Sequence, residues 1–284
     1  MSGQLRAAVF DWAGTVQDHG SRAPVAALTA LFRTAGIELT EAQARGPMGR
    51  FKLDHIRDIL AEPQVAAAWL AASGSAAGEA DALRLYDRLG PIQEAAIADH
   101  GELIDGVVEV MAACRERGLR IGSTTGYPRA SAEIAAREAR RQGYVPDAMV
   151  CSDDVPAGRP APWMLFRNLE LLGAYPPWRV VKVGDTAVDI AEGRNAGTWT
   201  VGVTRTGNLV GRTHAELAQL KTDERQAMVE QATAVLRQAG ADAVVQTVAD
   251  LIPVLDAVDG RIARGERPHD AHSQTEAGPR PKGV

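Results

Sequence analysis

Short apolar runs that end in small or acidic residues alternate along this chain with longer stretches in which apolar side chains recur every three or four positions. The first pattern suits buried strands of a parallel sheet, the second amphipathic helices laid on its faces. Strands are expected at Leu5–Phe10, Arg120–Thr124, Ala148–Cys151, Arg179–Val183 and Trp199–Val203. This alternation predicts an α/β fold built on a doubly wound, Rossmann-like parallel sheet. Between the first two strands, from about Gly20 to Gly101, helix formers dominate and no strand pattern occurs. Helices are expected there at Pro24–Ala35, Glu41–Arg45 with Thr40 as N-cap, Phe51–Leu60, Val65–Ala72 and Glu79–Ala98, with Ser73–Gly78 as a turn. The organisation therefore reads as a core domain of residues 1–19 and 102–264, interrupted by a helical cap of residues 20–101. Ile104-Asp105-Gly106 leads the chain back into the core. Helices near Thr213–Leu220 and Arg225–Gln238 are packing elements, and residues 265–284, rich in Pro, Gly, His and charge, are expected to be a disordered tail.

Composition narrows the field without naming a chemistry. At 284 residues and 45% hydrophobic, the chain can bury one large core plus an inserted subdomain. A net charge of −5 argues against a nucleic-acid binder or a binder of anionic membranes, while leaving room for a local basic pocket. No apolar stretch approaches the roughly 20 residues needed to span a bilayer. Two cysteines, Cys114 and Cys151, and the lack of a basic-apolar leader make a cytoplasmic protein without disulfides the expectation.

The candidate chemistry gathers at the carboxyl ends of the strands, where open parallel sheets bind ligands. Asp11-Trp12-Ala13-Gly14-Thr15 places a lone carboxylate after the first strand. Ile121-Gly122-Ser123-Thr124-Thr125-Gly126-Tyr127 ends the second in hydroxyls and a glycine, suited to binding a phosphoryl oxygen through Thr125 and backbone N–H groups. Asp153-Asp154-Val155-Pro156-Ala157-Gly158-Arg159-Pro160 sets a fixed cation, Arg159, before a helix expected to begin near Pro160. Val181-Lys182-Val183-Gly184-Asp185-Thr186-Ala187-Val188-Asp189 supplies two further acids, which with Asp11 make a hard-oxygen site suited to Mg²⁺.

Taken in order, these four segments resemble the motifs of the haloacid dehalogenase (HAD) superfamily, from about Val9 to about Gly207. In that family the first Asp attacks phosphorus and an acid two residues later protonates an oxygen leaving group. Here the second position is Ala13. One branch of the family that lacks this acid is the phosphonatases, which cleave carbon–phosphorus bonds, and Pro47-Met48-Gly49-Arg50-Phe51-Lys52-Leu53-Asp54-His55-Ile56 resembles their cap segment. The resemblance implies that Lys52 forms an imine with phosphonoacetaldehyde and that Asp11 takes the phosphoryl group. It further implies that Met48, Gly49, Thr125, Gly126, Tyr127 and Arg159 bind substrate, and that Asp11, the Ala13 carbonyl and Asp185 hold Mg²⁺, with Asp189 at or behind the metal. A homodimer and growth on 2-aminoethylphosphonate follow as context.

Two observations bear on the lysine independently of the resemblance. Lys52 and His55 stand three positions apart on one helix face, so an imidazole can lie beside the amine and assist proton traffic. The chain relies on Arg and keeps Lys only at Lys52, Lys182, Lys221 and Lys282. One departure is that the family often has Cys and an apolar residue near Ser21-Arg22, which alters the pocket rim. A Mg²⁺-dependent phosphatase of a small ester and a catalytically silent HAD-fold binding protein remain the alternatives. The first would lose leaving-group protonation at Ala13, worth ~10²–10⁴-fold.

Overall fold

The protein, seen as a computed structural model, is described over residues 4–269. Six strands, β1 (Ala7–Phe10), β2 (Arg120–Thr125), β3 (Ala148–Cys151), β4 (Val180–Gly184), β5 (Trp199–Val203) and β6 (Ala243–Val245), form one sheet in the order β3-β2-β1-β4-β5-β6. Every neighbouring pair is parallel, and Phe10 stands opposite Ser123 on β2 and Val183 on β4. Strand order thus runs outward in both directions from β1. Its tip is the switch point of the sheet, where a crevice opens.

Twelve helices lie among the described residues. Five make up the helical block of residues 20–101: α1 (Arg22–Arg33), α2 (Glu41–Arg45), α3 (Lys52–Ala61), α4 (Pro63–Ser73) and α5 (Glu79–Asp99). The other seven are α6 (Val107–Glu116), α7 (Arg129–Arg141), α8 (Trp163–Leu172), α9 (Ala187–Ala196), α10 (His214–Gln219), α11 (Thr222–Gln238) and α12 (Leu251–Ala263). Both faces of β1 are covered, as a parallel strand requires: Ala7 and Val9 pack on Leu165 and Leu169 of α8, whereas Ala8 and Phe10 join the main core. That main core is continuous with the helical block through Leu28, Leu31, Phe32 and Ile56.

The two ends of the block are held together at its base. Asp18 N–H donates to Glu102 O (2.9 Å) and Ile104 N–H to Val16 O (3.0 Å), while Gln17 accepts from the Trp12 indole and donates to Gly101 O, both at 2.5 Å. Asp18 then caps α1, taking the N–H groups of Arg22 and Ala23 on its two oxygens.

The structure departs from expectation in three places. β6 was not foreseen, because three residues after Gly240 are too few to show a period. The helix after Arg159 begins at Trp163, not near Pro160, since Pro162 keeps Ala161 out of the helical region. The expected tail starts with ordered contacts: Glu266 receives Arg261 and Arg264, and the Arg267 guanidinium lies 3.8 Å from the ring centroid of Trp178. Residues 270–284 of that tail lie outside the described residues.

Candidate active site

Asp11 follows β1 directly and is 6% exposed, with its backbone N–H donating to Val183 O. Its Oδ1 lies 2.7 Å from Arg159 Nη1. Three further acceptors fix that guanidinium: Asp189 Oδ1 at 3.1 Å, Glu192 Oε2 at 3.0 Å and Thr124 Oγ1 at 2.6 Å. Burial works against the charge of Arg159, but Asp11, Asp189 and Glu192 more than offset it, so the guanidinium holds its proton firmly. The carboxyl of Asp11 is raised by burial, against which Arg159 pulls downward.

Asp185, one residue past β4, is 1% exposed. Its Oδ2 accepts from Asn208 N–H (2.6 Å) and Ser21 Oγ (3.2 Å). Burial, then the neighbouring charges of Asp11 and Asp189, raise its carboxyl well above the usual range. Carboxylate oxygens of Asp11, Asp185 and Asp189 lie within 4.8 Å of one another. Burial would raise Asp189 too, yet Arg159, Lys182 and Thr186 outweigh it and hold that carboxyl low. Four carboxylates, counting Glu192, therefore face two cations, and of the four Asp185 is the one that pairs with neither Arg159 nor Lys182. A hard divalent cation fits this oxygen-only donor set, which Asp11, Asp185 and Asp189 could supply. Both oxygens of Asp189 are already engaged by Arg159, Lys182 and Thr186, which leaves Asp11 and Asp185 the freer carboxylates of the three.

The helical block delivers Lys52 to the same place. Gly49 has φ +87°, and a Cβ there would meet Thr186 Oγ1 and Val188 Cγ2 at 2.6 Å, so the turn lies directly on the loop entering α9. Hydrogens on Gly126 and Gly158 leave space for Arg50 O and Phe51 in the same way. Docked on three core loops, the turn starts α3 at Lys52, whose side chain is 3% exposed with Nζ 5.5 Å from the ring centroid of Tyr127. Burial lowers the ammonium to about 8; Asp11 pulls it up and Arg159 pushes it down. The helix N-terminus adds to the pressure against a cation.

His55, one turn along α3, is fully buried, and its Nε2 lies 2.9 Å from Ala44 O. A carbonyl only accepts, so Nε2 carries the hydrogen and Nδ1 is left as an unpaired lone pair. Burial and then Lys52 lower its pKa to about 3, so the ring is neutral.

Ten of the residues expected from the sequence, Asp11, Ala13, Met48, Gly49, Lys52, Thr125, Gly126, Tyr127, Arg159 and Asp185, line one cavity of about 30 Å³, joined by Ser21, Pro24 and Thr186. His55 and Asp189 sit behind it. A larger cavity of about 530 Å³ lies at the base of the block around Asp18, His19, His100 and His214, and holds none of these groups. The residues expected to carry chemistry gather at the small cavity, where Asp11, Lys52, Arg159 and Asp185 converge. Sequence reasoning missed Lys182, Glu192, Thr124, Ser21 and Asn208. Lys182 carried a readable signal, because a lysine within a strand covered on both faces must be paired.

Comparison with known proteins identifies the family. The family model described as haloacid dehalogenase-like hydrolase matches residues 5–197, and one described as HAD-hydrolase-like matches residues 156–251. The class is thereby defined as HAD-fold hydrolases. Curated relatives named phosphonoacetaldehyde hydrolase include one from Nitratidesulfovibrio vulgaris, 44% identical over 95% of this chain and 96% of its own, and one from Bacillus cereus, 41% identical over 90% and 97%. A crystal structure of a phosphonoacetaldehyde hydrolase-like protein from Oleispira antarctica superposes with a TM-score of 0.93 at 42% identity, covering 94% of this chain and 97% of that one. The chain belongs to the phosphonoacetaldehyde hydrolase family of the haloacid dehalogenase-like hydrolases.

Proposed function

We propose that the protein hydrolyses the carbon–phosphorus bond of phosphonoacetaldehyde to acetaldehyde and phosphate through a Schiff base on Lys52 and a phosphorylated Asp11. The observation that carries this reading is a buried lysine facing the cavity of Asp11, with Ala13 where an ester hydrolase needs an acid. Direct displacement by Asp11 would expel a carbanion-like fragment. Neutral Lys52 avoids this by condensing with the aldehyde and releasing water, which leaves a protonated imine β to phosphorus. Asp11 then attacks phosphorus, and the electrons of the C–P bond pass into the imine to give an enamine. Water cleaves the aspartyl phosphate, and the enamine takes a proton and is hydrolysed to acetaldehyde and free Lys52. One water is consumed overall.

Thr125, Gly126 and Arg159 orient the phosphoryl oxygens, while Met48, Gly49 and Tyr127 form the wall beside Lys52. The unpaired Nδ1 of neutral His55 serves as a hydrogen-bond acceptor beside Lys52 during imine formation. Mg²⁺, held by Asp11, Asp185 and the Ala13 carbonyl, would supply positive charge to the phosphoryl oxygens. A cavity of about 30 Å³ has room for only a water or two, so residues 20–101 act as a cap domain that opens to admit substrate and closes to exclude water.

We place the reaction in the cytoplasm: Cys114 and Cys151 are both free and buried, and among the described residues no helix is long and apolar enough to cross a membrane. Exposed Trp163, Phe166, Leu171 and Tyr175 on and after α8 supply an apolar face for a homodimer, to be checked by sedimentation. The decisive test is incubation with phosphonoacetaldehyde and borohydride. Inactivation with a reduced adduct on Lys52, together with loss of turnover in Lys52→Arg, is the expected result. An adduct on another lysine, or faster turnover of simple phosphate esters than of the phosphonate, overturns the reading.

A further inference from the structure

Arg45, on the short helix α2, is bound by the core more tightly than any surface role requires. Its side chain is 12% exposed, with Nη1 donating to Gly20 O (2.8 Å) and Asn208 Oδ1 (3.0 Å) and Nη2 donating to Gly211 O (3.0 Å). Glu41 holds the fork from behind, accepting from Nε at 3.0 Å and Nη2 at 2.7 Å, and it also accepts from Arg22. Gly211 has φ +64°, and a Cβ there would come within 2.8 Å of Cζ of this guanidinium. The loop is shaped around Arg45.

The same loop reaches the metal acid. Asn208, whose side-chain amide accepts from Arg45 and donates to Arg45 O at 3.4 Å, gives its backbone N–H to Asp185 Oδ2 at 2.6 Å. Gly207 is in contact with Asp185 as well, since a Cβ would meet Asp185 Cβ at 2.6 Å. Thr206 Oγ1 donates to Gly14 O (2.8 Å) beside the nucleophile, and Thr206 O accepts from Gly20 N–H (2.7 Å) at the base of the helical block. A single loop thus touches α2, the base of the helical block, the turn after Asp11 and Asp185.

Resting on the phosphonate-hydrolase reading with its divalent cation, we infer that Arg45 is a positioning residue: its contact with Asn208 makes closure of the cap set the orientation of Asp185, so that the metal site is complete only when Lys52 is in place. When the block lifts, Arg45 leaves the loop, and Asn208 loses the partner that holds its N–H on Asp185. Metal affinity and cap closure are then reciprocally linked.

Mg²⁺ binding to the full-length protein, followed by calorimetry with Mg²⁺ alone as the probe, tests this without reference to turnover. Arg45→Met, which keeps the apolar stem, is expected to weaken Mg²⁺ about tenfold, within the usual span of coupling between sites. Asn208→Ala, which keeps the backbone N–H, is expected to weaken it similarly, and the double variant by no more than either single one. Arg45→Lys keeps the charge but not the fork and should recover part of the loss. Additive effects in the double variant, or Mg²⁺ affinity unchanged in Arg45→Met while its melting temperature falls, would overturn the inference. If wild-type protein binds Mg²⁺ and the variants behave as expected but phosphonoacetaldehyde is not cleaved, the substrate reading fails while the coupling stands.

Discussion

Lys182 and Arg159 address the same three acceptors: Thr124 Oγ1 at 2.6 Å from each, Asp189 Oδ1 at 3.1 Å from each, and Glu192 Oε2 at 3.1 and 3.0 Å. The ammonium comes from mid-β4 and the guanidinium from the loop before α8, so two distant segments neutralise one buried acidic pair. Lys182 leaves Arg159 with an arm for Asp11 that would otherwise be drawn into compensating Asp189 and Glu192.

Lys182→Met is therefore expected to destabilise the fold by about 3–5 kcal/mol, because Asp189 and Glu192 lose a partner in a fully buried setting. Urea unfolding of the variant and of Lys182→Met/Glu192→Gln measures this. Removing the orphaned carboxylate should recover part of the loss; a double variant less stable than the single one would show that Glu192 is held by something else.

Lys52 gives a pH dependence of defined sign. The buried amine titrates at about 8 and the unfolded side chain at about 10.5, so between those values the unfolded chain binds the extra proton and stability rises with pH. Below about pH 8 the full cost of the buried ammonium is present. In Lys52→Met this rise should vanish and unfolding at pH 7 should require more denaturant, although turnover is lost. In wild-type protein, kcat/KM should climb through about pH 8 as the amine is freed, and a pH-independent rate from 6 to 9 would contradict that protonation state.

Much of this site was legible because the strands end where their apolar runs end: Asp11, Thr125 and Asp185 all lie at strand tips that the pattern alone located. Resemblance of Pro47–Ile56 to the phosphonatase cap segment pointed to Lys52, and the absence of an acid at Ala13 and the sparing use of lysine only supported it. What stayed hidden depends on three-dimensional approach. Asn208 and Ser21 meet Asp185 across 23 and 164 residues of chain, and no local period reports such contacts. β6 was too short to register, and Pro162 delayed α8 by steric conflict that a hydrophobic pattern does not record.

Gly49 tests how closely the helical block must dock on the core. Alanine at this position would strain a φ of +87° and press a methyl within 2.6 Å of Thr186 Oγ1 and Val188 Cγ2. The turn carrying Lys52 must then ride away from the core by a fraction of an ångström to an ångström, enough to cost about 10²-fold in turnover. Gly49→Ala should fold with a modest loss of melting temperature and a large fall in kcat. An unimpaired kcat would mean that the turn is not what places Lys52.

Asp185 should separate metal binding from folding. Its carboxyl is pushed well above the usual range by burial and by the charges of Asp11 and Asp189, so without a cation it is a source of strain. Asp185→Asn keeps an oxygen to accept from Asn208 N–H and Ser21 Oγ while removing that repulsion. The variant is expected to melt at or above the temperature of chelator-treated wild type, yet to show no turnover. Mg²⁺ at 100 times its dissociation constant should stabilise wild-type protein by about 2.7 kcal/mol and leave Asp185→Asn unmoved, because only a ligand that binds the folded state shifts the equilibrium. Zn²⁺ should restore chelated enzyme poorly, since the donor set is oxygen alone. Full turnover after chelation, or equal Mg²⁺ stabilisation of the variant, would remove Asp185 from the metal site and with it the charge balance on which Asp11 depends.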